Sequence, residues 1–246
     1  MTLRQQPFLQ VALNGSRSRA DHPAVPITAQ ELAQDVLTLS RLGVTAVHLH
    51  VRDDQGRESL EPGVVAATLQ AIRAVCPDVE LAVSTAEDIA ATPNERRRLV
   101  SAWTVWPDTL CVNLSEEGID DVIALAALRE VACEAGLFTP QDIRHLRGLC
   151  GVRWRRLLLE PQSDDPAEAQ SQLAALLEEL GTPWLEVPHV IHAMNEATWP
   201  LLRRAALLTR ASRIGFEDTL TLEDGTPAHD NSELYSVALS LMAGVR

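Results

Sequence analysis

Short apolar runs and amphipathic stretches alternate along the chain. The runs are rich in Val, Leu, Ile and Ala, and each is too short for a helix. They read as buried strands at Phe8–Leu13, Ala46–Arg52, Glu80–Ser84, Thr109–Leu114, Val131–Leu137, Trp154–Leu159, Trp184–Val187 and Ser212–Phe216. Between them the apolar positions change to helical spacing, as in Leu32, Val36 and Leu39. Local start signals recur. Thr28 with Glu31 is a capping box, and Thr92-Pro93-Asn94-Glu95, Thr139-Pro140-Gln141-Asp142 and Asp165-Pro166-Ala167-Glu168 each place a cap before a first-turn proline. Gly43, Gly148 and Gly181 mark helix ends. Further helices are predicted from Pro62 to about Val75, Ile119 to Arg129, Asn195 or Glu196 to Leu208, and Asn231 to Met242.

The pattern is eight strands in strict alternation with eight helices. Such alternation implies parallel strands joined by right-handed crossovers. Eight units in 246 residues is the size of a (β/α)8 TIM barrel, so the fold class is α/β and residues 1–246 are read as one barrel domain. The competing arrangement is an open doubly wound sheet, but no G-x-G-x-x-G follows the first strand.

Composition narrows the function. A net charge of −13 excludes a nucleic-acid partner and a membrane-surface partner, both of which select basic proteins. No run approaches the ~20 apolar residues of a membrane span. Met1–Gln6 is polar and lacks an apolar signal core, which leads to the expectation of a soluble cytoplasmic protein. All 21 basic residues are Arg, so lysine imine chemistry is excluded, while Arg still supplies forks for carboxylates. The four cysteines, Cys76, Cys111, Cys133 and Cys150, are scattered and form no C-x-x-C motif.

The segment Ala46-Val47-His48-Leu49-His50-Val51-Arg52-Asp53 carries the most chemistry. Side chains alternate along a strand, so His48 and His50 share a face. They are either half of a metal site or two hydrogen-bonded core histidines. In a (β/α)8 barrel the chemistry lies at the C-terminal strand ends. Those ends offer Asn14, then His48, His50 and Arg52, then Ser84 and Thr85, Cys111 and Asn113, Glu134, Glu160, Glu186 and His189, and finally Arg213, Glu217 and Asp218. Closure of strand eight onto strand one brings Glu217 within one strand of the histidines. His48, His50 and Glu217 with an open position suit a catalytic zinc ion; alternatively Glu217 is a rim ion pair of Arg213 or Arg52. Arg213 beside Asp218 keeps a carboxylate ionised, either as a base or as a structural pair.

Several of these segments resemble the β-keto acid cleavage enzyme family. They are Ala12-Leu13-Asn14-Gly15-Ser16, His22-Pro23-Ala24-Val25-Pro26-Ile27-Thr28, the H-x-H-x-R-D run His48–Asp53, Ser84-Thr85 and the R-x-G-x-E-D run Arg213–Asp218. The resemblance implies a zinc-dependent barrel that converts a β-keto acid and acetyl-CoA into acetoacetate and a new acyl-CoA. It implies zinc on His48, His50 and Glu217, a proton-handling dyad of Arg213 and Asp218, and Ser84 on the keto acid carboxylate. Asn14, Thr85, Asn113 and Glu134 would line the pocket, and the assembly would be a homo-oligomer, a dimer or tetramer. Arg17 stands where the family often has Glu, which favours an anionic or dicarboxylic substrate. The family's glycine-rich loop after strand six is replaced by Glu160-Pro161-Gln162-Ser163-Asp164-Asp165. That replacement keeps a second function open, a zinc hydrolase or lyase acting on a small carboxylate without CoA.

Overall fold

The structure is a computed structural model and describes residues 7–181, 186–209 and 211–244. Eight parallel strands close into a barrel in chain order, β1 pairing with both β2 and β8. The strands are β1 Phe8–Ala12, β2 Ala46–Leu49, β3 Glu80–Ser84, β4 Thr109–Asn113, β5 Ala132–Leu137, β6 Trp154–Leu159, β7 His189–Ile191 and β8 Ala211–Ile214. The helices are α1 Ala29–Arg41, α2 Pro62–Val75, α3 Pro93–Ser101, α4 Ile119–Leu128, α5 Pro140–Gly148, α6 Pro166–Leu180, α7 Thr198–Leu208 and α8 Asn231–Gly244. None of the described helices is long and apolar enough to cross a membrane.

The helix starts follow from local chemistry. The Thr28 hydroxyl accepts from Glu31 N while Glu31 accepts from Thr28 N, and at α5 Asp142 Oδ2 likewise accepts from Thr139 N at 2.7 Å. Prolines open α2, α3, α5 and α6, where a missing N–H leaves no bond unmade. Outward-facing strand residues such as Val11, Val47, Leu49, Leu81, Val83, Leu110, Leu157 and Ile191 are fully buried under the helices in one continuous core. Inside the barrel a much smaller apolar cluster of Cys111, Leu158, Val190 and Ala211 packs with Phe8.

One strand lies elsewhere than the sequence suggests. Of the expected Trp184–Val187 strand, Trp184 and Leu185 lie outside the described residues, and Glu186 and Val187 form a turn and bend. The seventh strand is instead His189–Ile191, which pairs with Leu157, Leu158 and Leu159. Pro188 explains the shift. It has no N–H, but its carbonyl accepts from Leu157 N at 2.9 Å, so the ladder begins there and runs forward. Glu186 and His189 are therefore not at the C-terminal mouth, and His192 takes that place.

Candidate active site

The C-terminal mouth is built around the seam between β1, β2 and β8. The ladder of β2 ends at Leu49, and beyond it the Asn14 side chain replaces a strand partner. Asn14 Oδ1 accepts from His50 N and Asn14 Nδ2 donates to His50 O, both at 2.9 Å. Asn14 Nδ2 also donates to Pro26 O at 3.1 Å, so its amide is fully used in holding backbone. On the other side of the seam Gly215 lies against β1. A Cβ there would stand 2.0 Å from Ala12 O, so only glycine allows the approach, and Glu217 N then donates to Ala12 O at 3.3 Å.

These contacts bring the first and last parts of the chain together. His48 Nε2 lies 3.3 Å from Glu217 Oε2, and His50 Nε2 lies 3.9 Å from Glu217 Oε1. The two imidazoles meet edge to face with centroids 5.2 Å apart. Donor atoms of His48, His50 and Glu217 all lie within 4.8 Å of one another. Gly15, at φ +51°, leaves the space that the Glu217 stem occupies.

The electrostatics suit a cation. Burial drives the His48 pKa down to about 3, with Arg213 and His50 acting in the same direction against Glu217, so the imidazole is neutral and has a lone pair to give. Burial alone would raise the Glu217 carboxyl, but the charge and hydrogen bond of Arg213, with the neighbouring imidazoles, override it and hold it ionised. Buried Glu217 Oε2 has no hydrogen-bond partner. An orphaned carboxylate oxygen facing the neutral His48 imidazole is costly unless an ion satisfies it, so the donor set fits a divalent metal. A second cluster, His48, Cys111 and Glu134, also comes within 4.8 Å. It fits less well. Burial pushes the Cys111 thiol well above its ordinary pKa, and Glu134 is already engaged.

Beside the cluster, Arg213 links two acids. Its Nε and Nη2 donate to Asp218 Oδ1 at 3.0 and 2.6 Å, and Nη2 also reaches Glu217 Oε1 at 3.1 Å. Asp218 Oδ2 is buried and unpartnered. Burial pushes the Asp218 carboxyl up, and the Glu217 and Glu160 charges add to this against Arg213. Ser84 Oγ accepts from Ala86 N at 3.3 Å, which leaves its hydroxyl proton for another acceptor.

The other expected residues have structural bonds. Thr85 donates to Cys111 O at 2.8 Å. Asn113 donates to Glu116 Oε1 at 2.7 Å and packs over Gly136, where a Cβ would come within 2.3 Å of its Oδ1. Glu134 lies inside the barrel, where it accepts from Gln10 Nε2 at 3.0 and 3.2 Å and pairs with Arg156. Arg17 donates to Asn195 Oδ1 at 2.5 Å, at the outer edge of the mouth.

Two further groups reach the mouth. The His192 ring is fully buried with both nitrogens unbonded, 3.4 Å from Glu160 Oε2 and 3.7 Å from Asp218 Oδ1. Burial and Arg213 keep it neutral, and burial raises the Glu160 carboxyl to about 7. Glu58, on the loop after β2, contacts His50 Nδ1. Alternation along a correctly placed β7 points to His192; no sequence signal points to Glu58.

Fold and site together define a class, a (β/α)8 barrel with a metal-type donor set at its catalytic face. The profile of the beta-keto acid cleavage enzyme family matches residues 7–150, and the chain belongs to that family. It is 23% identical over 264 aligned residues to the 3-keto-5-aminohexanoate cleavage enzyme of Acetoanaerobium sticklandii, covering 95% of this chain and 90% of that enzyme. It is 40% identical over 84 residues to the 3-oxoadipate:acetyl-CoA acetyltransferase of Cupriavidus necator, covering 34% of this chain and 30% of that protein. Among solved structures, the binary complex of ObcA with oxaloacetate superposes with a TM-score of 0.69 at 17% identity. That match covers 89% of this chain and 63% of ObcA, so this chain spans less than two thirds of its length.

Proposed function

We propose that this enzyme transfers an acyl group between a β-keto acid and acetyl-CoA, yielding acetoacetate and a new acyl-CoA, with zinc held by His48, His50 and Glu217. The observation that carries this reading is the convergence of that donor set with the Arg213–Asp218 pair at one mouth. The family match supports cleavage of a β-keto acid, and a relative named as an acetyl-CoA acetyltransferase supports the thioester co-substrate.

Zinc in this site would supply Lewis acidity toward the ketone and carboxylate of the keto acid. Ser84 donates its free hydroxyl proton to that carboxylate. Asp218, oriented by Arg213 through Oδ1, takes the C2 proton of the keto acid on the unpartnered Oδ2. The C2 carbanion displaces thiolate from acetyl-CoA and forms a C–C bond to the acetyl carbonyl. The released thiolate adds to the original ketone carbon. The bond from that carbon to C2 then breaks, giving the new thioester, and Asp218 returns the proton to C2 to complete acetoacetate. Asn14 holds the His50 backbone, and Glu134 with Gln10 and Arg156 sets the floor beneath His48. Arg17 at the mouth's edge favours a keto acid with a second carboxylate, in keeping with the 3-oxoadipate in the name of one relative.

The test is a coupled assay of zinc-loaded protein against a panel of mono- and dicarboxylic β-keto acids with acetyl-CoA, following acetoacetate and acyl-CoA together. Equal amounts of both products support the reading. Stoichiometric zinc with no turnover across the panel refutes it.

A further inference from the structure

The loop after β2 is a tight antiparallel turn. Arg52 and Glu58 bridge across it, Asp53 N donates to Arg57 O at 2.8 Å, and Ser59 N donates to Val51 O at 2.9 Å. Asp53 Oδ1 accepts from Gln55 N at 2.9 Å and Arg57 N at 3.0 Å, and Gly56 turns the chain at φ +76°. The Arg52 guanidinium ties the turn down through Gly56 O at 3.0 Å. So braced, the turn delivers one side chain into the mouth. The Glu58 carboxylate meets His50 Nδ1, with both side chains mostly buried.

The consequence lies in the chemistry of imidazole. A neutral ring has one N–H and one lone pair, and the group at one nitrogen decides which is which. A carboxylate at Nδ1 demands the proton there. Nε2 then carries the lone pair, and Nε2 is the nitrogen that faces Glu217. Glu58 stands at the opposite ring edge and is not among the donor atoms grouped with His48 and Glu217. His48 has no equivalent support, since its buried Nδ1 lacks a partner.

We propose that Glu58 is a positioning residue that fixes the tautomer and orientation of His50, so that Nε2 is presented to a divalent metal. This rests on reading His48, His50 and Glu217 as the ligands. The test is zinc affinity, measured by competition with a chromophoric chelator, with circular dichroism melts to confirm folding. Glu58→Ala is expected to weaken zinc binding about 10- to 100-fold, the usual effect of removing a carboxylate behind a metal-bound histidine. Glu58→Gln is expected to recover most of that loss, because its amide oxygen still accepts from Nδ1–H. Arg57→Ala, which disturbs the turn without touching His50, is expected to stay within about threefold of the parent.

Wild-type affinity in a folded Glu58→Ala protein would overturn the proposal. So would an equal loss in Arg57→Ala, which would make turn order rather than the carboxylate the cause. His50→Ala separates the two levels of inference. Unchanged affinity there refutes the ligand reading itself, whereas a large loss in His50→Ala beside none in Glu58→Ala refutes only the positioning role.

Discussion

Replacing Arg213 with Met keeps most of the stem volume and removes the one cation shared by Glu217 and Asp218. The guanidinium is 2% exposed and Asp218 fully buried, so water offers little compensation. At the 2.6–3.1 Å separations of these bonds, an effective dielectric near 20 gives roughly 6 kcal/mol for a unit charge pair. Measured losses on stripping one partner from a buried pair run about 3–5 kcal/mol. A loss of about 3–4 kcal/mol at pH 8 is therefore expected.

The loss depends on pH with a defined sign. Without Arg213, the Asp218 pKa is raised further above its unfolded value. A carboxyl raised in this way contributes stability below its unfolded pKa and loses it as pH rises through its folded pKa. The deficit of Arg213→Met relative to the parent is therefore smaller at pH 5, where Asp218 is protonated, than at pH 8. The double variant Arg213→Met/Asp218→Asn removes the stranded charge and recovers at least about half of the pH 8 loss. Urea unfolding of chelator-treated protein, followed by Trp fluorescence at both pH values, measures all three. A pH 8 loss under about 1 kcal/mol, an equal loss at pH 5, or no recovery in the double variant would refute the reasoning.

Other substitutions probe separate parts. His48→Ala should abolish stoichiometric zinc in metal analysis, and unchanged content would refute the ligand assignment. Gly15→Ala puts a Cβ 2.3 Å from Glu217 Cγ in a left-handed backbone position, so it should cost about 1–2 kcal/mol in urea unfolding and weaken zinc binding together; a parent-like affinity would mean that Glu217 tolerates displacement. The Asp35 carboxyl, receiving a hydrogen bond from Asn231, is raised to about 6 chiefly by burial, with Asp230 adding to it. Its contribution to stability is present below about pH 4 and lost as pH rises through 6, so Asp35→Asn should stabilise by up to about 2 kcal/mol at pH 8 and by almost nothing at pH 4. Matched melts at the two pH values check this.

What the sequence revealed tracks how local each signal is. Helix starts such as Thr28–Glu31 and Thr139–Asp142 are complete within four residues, and the structure has them where the caps lie. The barrel followed from alternation, and with it the nearness of Glu217 to His48 and His50. Strand seven lies elsewhere because Trp184–Val187 is the more apolar run, whereas His189–Ile191 is a strand only through its pairing with β6. His192 was lost with it. Glu58 was hidden in a polar turn, where nothing separates an acid aimed inward from one aimed at water. The inward-facing set of Gln10, Glu134, Arg156 and the half-buried Glu80 is equally silent, since each polar group is tolerated only through partners on other strands. Asn14 was visible as a polar strand-end residue, but its use as a substitute strand partner needs the β1–β2 register.

The seam between β1 and β8 has a further meaning for folding. Asn231, at the start of the last helix, donates to Leu13 O at 2.9 Å and accepts from Phe216 N at 2.8 Å, so it stitches the two ends of the chain together. His48 and His50 stand on one side of that stitch and Glu217 on the other. Such contacts span nearly the whole sequence and carry a loop-closure cost that local contacts do not, so they are expected to form late in assembly. An ion that needs all three groups binds only a chain that has completed its circle. Metal uptake during refolding would then act as a clock for closure, lagging behind the signals of helix formation.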